Sequence, residues 1–99
     1  MKRLCIFCFY DSKGIVDKSV EYLLGELLLN SDRLVIVVNG NIEDNSKKIL
    51  EAYSKDVVVR ENAGYDAGAY KFAIFKYLKI EEIRQYEELI SVSYTHLRA

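Results

Sequence analysis

Apolar residues in this chain fall by turns into short unbroken runs and into helical spacing. Arg3 to Tyr10 is almost continuous in β-branched, aromatic, aliphatic and cysteine residues, as expected of a strand covered on both faces of a parallel sheet. Asp11-Ser12-Lys13-Gly14 turns the chain. Val16, Val20, Leu23, Leu24, Leu27 and Leu28 then share one face of a helix that Asp17 caps and that stops near Asn30-Ser31. Leu34 to Val38 is a second apolar strand, ending in Asn39-Gly40. Ile42, Ile49, Leu50 and Tyr53 mark a weaker amphipathic helix, and Val57-Val58-Val59 a third strand. Helical spacing returns at Tyr70, Ala73, Ile74, Tyr77 and Leu78, and Tyr86 to Ile90 opens a fourth strand. Strands and helices alternating with short connections predict right-handed crossovers and a three-layer, Rossmann-like α/β fold on a mostly parallel sheet. The first three strands then end along one edge, at Tyr10-Asp11, Asn39 and Arg60.

The turn that leaves the third strand, Arg60-Glu61-Asn62-Ala63-Gly64-Tyr65-Asp66-Ala67-Gly68-Ala69-Tyr70, is the part of that edge densest in chemistry. Open α/β sheets bind ligands beyond the carboxyl ends of their strands. Gly64 and Gly68 allow close approach of the backbone to a ligand, while Asn62, Asp66 and Arg60 offer hydrogen-bonding groups of three kinds. A structural reading stands beside this one: Gly64 supplies a positive φ, and Asp66 caps the following helix. Arg60 would either hold a phosphate through its fork of N–H groups or pair with Glu61 or Asp66.

Composition narrows the classes. A chain of 99 residues is one domain at most, and 51% hydrophobic with 29% charged residues describes a globular one. Fourteen Lys and Arg against fifteen Asp and Glu leave no basic surplus, so no nucleic-acid partner is expected. No apolar run is long enough to cross a bilayer, and Met1-Lys2-Arg3 leads into no cleavage site, which places the protein in the cytoplasm. Cys5-Ile6-Phe7-Cys8 spells C-x-x-C, but on a strand the two thiols point to opposite faces and read as buried packing residues. Neither G-x-G-x-x-G nor G-x-x-x-x-G-K-[ST] occurs, and the single histidine, His96, follows no nucleophile elbow.

Four stretches carry a family resemblance: Ile6-Phe7-Cys8-Phe9-Tyr10-Asp11 with Gly14-Ile15-Val16-Asp17 behind it, the leucine-rich first helix, Val35 to Asn39, and Arg60 to Ala69. Together they resemble the start of a glycosyltransferase domain of the rhamnan synthesis F family, over Lys2 to about Ile90. The resemblance implies a GT-A type fold and a bacterial enzyme that builds rhamnose-containing cell-wall or lipopolysaccharide chains on the cytoplasmic side. For the full-length enzyme it allows peripheral association with the inner membrane face. The implied donor is a nucleotide-activated rhamnose, dTDP-rhamnose, and the implied acceptor a polysaccharide or a lipid-linked chain. In this reading Tyr10 and Asp11 bracket base and ribose with Asn39 beside them, Arg60 holds phosphate, and Asn62, Gly64 and Gly68 complete the donor loop. Asp66 would repel a bare phosphate and goes to a sugar hydroxyl or to capping.

The family pattern would continue past the fourth strand into an acidic turn that contacts a divalent metal, Mg²⁺ or Mn²⁺. Here Ser91-Val92-Ser93-Tyr94-Thr95-His96-Leu97-Arg98-Ala99 looks like translated sequencing-adaptor sequence instead. The expectation is therefore an N-terminal nucleotide-sugar-binding part over residues 1–90 and a non-native tail over 91–99, with the fourth strand cut short, the metal ligands outside this chain, and no role for Tyr94 or His96. Two rivals remain. One is a flavodoxin-like or receiver-like binding module, although a receiver needs an acidic pair after the first strand and a phospho-accepting Asp at the third, and only Asp11 is on offer. The other is an interaction domain whose glycines merely shape a turn.

Overall fold

A computed structural model describes residues 2–60 and 76–96 of the chain. Its elements are β1 (Arg3–Asp11), α1 (Lys18–Leu29), β2 (Arg33–Asn39), α2 (Asp44–Tyr53), β3 (Asp56–Arg60), a short α3 (Ile80–Ile83) and β4 (Glu88–His96). All strand pairs are parallel, in the order β3-β2-β1-β4. The sheet grows one way from β1 through β2 to β3, then the chain returns to place β4 on the other side of β1. Such a reversal of strand order is where open α/β sheets leave a crevice at their carboxyl ends.

The unbroken apolarity of β1 is used on both faces. Cys5, Phe7 and Phe9 pack with Leu34, Ile36, Val38, Val20, Leu24 and Leu50, beneath α1 and α2. Leu4, Ile6 and Cys8 pack with Val35, Val37 and Leu78, and Tyr77, Ile83 and Tyr86 lie against that second cluster. Alternation along the strand thus sends Cys5 and Cys8 to opposite layers. Both are free and buried, and burial pushes the Cys5 thiol up to about 11.

The helix ends follow local chemistry. Asp17 accepts a hydrogen bond from the Val20 N–H at 3.1 Å, capping α1 as expected, and the Asn30 N–H closes its other end on the Leu27 carbonyl. Val16 and Ile42 precede their helices, yet both join the core. Leu28, expected on the inner face of α1, is instead 46% exposed beside the more exposed Leu29 and Tyr22. The hydrophobic stripe of α1 is therefore narrower than its leucine content suggests. Tyr70, Ala73 and Ile74, which the spacing assigned to a helix, lie outside the described residues. Leu78 is buried as expected, and α3 was not anticipated.

β4 begins at Glu88 rather than Tyr86, and it does not stop at Ile90. It pairs with β1 residue for residue from Arg3–Glu88 to Asp11–His96. Ile90, Val92 and Tyr94 pack against the α1 side of the core, with the Tyr94 ring stacked on Phe9 at 5.7 Å between centroids. Ser91, Ser93 and Thr95 alternate with them and are exposed. This alternation gives Ser91–His96 the period-2 pattern of a strand with one covered face, where the expectation had the strand cut short.

Charges lock the amino edge of the sheet. Arg33, the first residue of β2, holds Asp56, the first of β3, through two parallel N–H···O bonds of 3.0 Å, and reaches Glu82 at 2.8 Å. The Tyr77 hydroxyl donates to Asp56 at 2.7 Å. Burial alone would raise the Asp56 carboxyl, but the Arg33 and Tyr77 hydrogen bonds and the guanidinium charge outweigh it and hold the group below the usual carboxylate range. The Arg33 hydrogen bond lowers Glu82 as well.

Two outcomes are expected. Cys5 and Cys8 should react with a thiol reagent on the order of a hundredfold more slowly in the native chain than in denaturant, and form no disulfide with each other, as mass spectrometry of timed samples would show. A carboxyl whose folded pKa lies below its unfolded value contributes stability above about pH 4 and loses it as pH falls through the folded value. Asp56→Asn should therefore be less stable than the parent at pH 7 but lose less on acidification from about pH 4 to pH 2, read by denaturant titrations across that range.

Candidate functional site

The carboxyl ends of β1, β2 and β3 border a cleft of about 510 Å³, lined by Tyr10, Asp11, Ser12, Gly40, Asn41, Val59 and Arg60. Its walls are the loops after β1 and β2, and these are joined to each other. Gly14 has φ 68°, and a Cβ there would stand 2.6 Å from the Ile42 Cα and 2.7 Å from the Asn41 carbonyl oxygen. Only glycine fits this backbone contact. The Glu43 N–H donates to the Gly14 carbonyl at 2.9 Å, and the Val16 N–H to the Ser46 hydroxyl at 2.9 Å. On the other wall the Gly40 N–H donates to the Arg60 carbonyl at 2.8 Å, with Gly40 itself at φ 106°.

The residues singled out from sequence divide between the two faces of the sheet. Tyr10 continues the series Leu4, Ile6, Cys8, and Asn39 continues Val35, Val37, so both lie on the second face. Asn39 is the register partner of Arg60, which puts the guanidinium-bearing residue in the same row. Asn39 is buried, and its Oδ1 is among the described side-chain atoms that have no hydrogen-bond partner. Tyr10, Asn39 and Arg60 therefore form one row across three adjacent strands, combining an aromatic ring, an amide acceptor and a cation.

Asp11 belongs to the opposite face, with Phe7 and Phe9. Its carboxylate, fully buried, accepts the Lys13 and Ile15 N–H groups on Oδ2, each at 3.0 Å, while Oδ1 lies 3.3 Å from His96 Nδ1. Its carbonyl accepts the Gly14 N–H at 2.9 Å. The Asp11 backbone borders the cleft, but its carboxylate is committed to shaping the β1–α1 loop, where the sequence had suggested a place against base or ribose. Asn62, Gly64, Asp66 and Gly68 lie outside the described residues. Ser12, Gly40, Asn41 and Val59 line the cleft without having been singled out. Their signal was positional, since each adjoins a strand end.

Among the described residues no three or more His, Cys, Asp or Glu side chains come together as a metal site. No helix among the described residues is long and apolar enough to cross a membrane.

The family model for rhamnan synthesis protein F matches residues 34–98, about two thirds of the chain. The protein belongs to the rhamnan synthesis protein F family. The match takes in β2, β3, the Arg60–Tyr70 segment and β4. No curated protein and no solved structure matches the chain. For this member of the rhamnan synthesis protein F family, then, the family match and the cleft lining overlap at Gly40, Asn41, Val59 and Arg60.

The two loop residues carry distinct expectations. Asp11→Ala leaves two part-buried N–H groups without their acceptor and should lower unfolding free energy by about 1–3 kcal/mol. Gly14→Ala should cost at least about 1 kcal/mol, because a Cβ at positive φ is strained even before its contact with Ile42. Chemical denaturation of each variant measures both.

Proposed function

We propose that this chain forms the donor-binding part of a glycosyltransferase that uses a nucleotide-activated sugar, dTDP-rhamnose, to extend a rhamnose-containing polysaccharide or lipid-linked acceptor in the bacterial cytoplasm. The observation that carries the reading is a cleft at the strand ends lined by Tyr10 and Arg60, with the buried Asn39 between them in the same row of the sheet, in a chain of the rhamnan synthesis protein F family. A cleft of this size accommodates a nucleotide. The roles follow from chemistry: the Tyr10 ring offers a stacking face to a base, Asn39 an acceptor for an N–H or O–H group, and Arg60 a fork of donors to a phosphate oxygen. Asp11 shapes the loop beside them and does not contact the donor through its carboxylate. The Asn62–Gly68 segment completes the donor site in this reading. A divalent cation, Mg²⁺ or Mn²⁺, belongs to it only with ligands from outside this chain, and none of the roles above depends on it.

A receiver-like module fits less well. Its phospho-accepting aspartate would stand at the end of the third strand, and that place is taken by Arg60.

Isothermal titration of the chain with dTDP-rhamnose tests the proposal. Tyr10→Ala and Arg60→Ala are each expected to weaken binding about 10- to 100-fold, in line with about 1–3 kcal/mol for a base–aromatic stack or a charged hydrogen bond. Their thermal midpoints should remain within a few degrees of the parent. Absence of binding by the parent chain, or equal binding by parent and both variants, would overturn the assignment.

A further inference from the structure

We draw no further inference here: the strongest candidate, the buried Asn39 amide at the carboxyl end of β2, whose Oδ1 has no hydrogen-bond partner among the described residues, belongs to the site already described.

Discussion

Everything in this fold depends on β1 being buried on both faces and paired on both edges. Leu4 through Phe9 are at most 1% exposed, which requires a helical layer above, a packed segment below, and β2 and β4 alongside. Burial of each large apolar side chain contributes roughly 1.5–3 kcal/mol, so the strand is held only while all four neighbours are present. Register follows from the same constraint. A slip of one residue would exchange the two faces and set Phe7 and Phe9 where Ile6 and Cys8 now sit. The strand ends, and hence the loops that border the cleft, are fixed by packing several residues away from them.

The two edges of the sheet resolve their polar groups differently. At the amino edge Arg33, Asp56, Tyr77 and Glu82 satisfy one another, and the network ties β2, β3 and the segment leading into α3 together. At the carboxyl edge the backbone is what is satisfied: Asp11 collects the N–H groups of its own loop, Ser46 takes that of Val16, and Gly14 allows the two loops to touch. Loops anchored through their backbones leave side chains free to face a ligand without loosening the scaffold. A site built this way is held in place before anything binds, which lowers the ordering cost of binding.

The layered fold was legible because its signals are local. Continuous apolar runs marked β1, β2 and β3 as two-sided strands, alternation separated Cys5 from Cys8, and Asp17 announced the start of α1. The amino-edge network was not legible, because Arg33 lies 23 residues from Asp56 and 49 from Glu82, and only the pairing of β2 with β3 and the placement of α3 bring them together. Asp11 shows the limit most clearly. Its position at a strand end was readable, but whether its carboxylate faces a ligand or its own loop depends on which face it occupies and on the turn at Gly14. β4 was obscured by composition, since serines and a threonine alternating with Ile90, Val92 and Tyr94 look irregular until one face is seen to be covered.

The division of residues between faces also removes an electrostatic objection to anion binding at this edge. A carboxylate at the end of β1 beside a phosphate would be expected to repel it, and in low-dielectric surroundings that repulsion is large. Asp11, however, sends its carboxylate to the α1 face, where it accepts hydrogen bonds from two N–H groups and His96 lies 3.3 Å away. Tyr10, Asn39 and Arg60 belong to the other face of the sheet, so in the donor-binding reading a phosphate meets the guanidinium while the buried Asp11 carboxylate is already held by its own loop. One strand end thereby supplies both the acid that shapes the loop and, on the other face, the aromatic ring that the donor-binding reading sets against a base, because Tyr10 and Asp11 are consecutive and consecutive residues of a strand point in opposite directions.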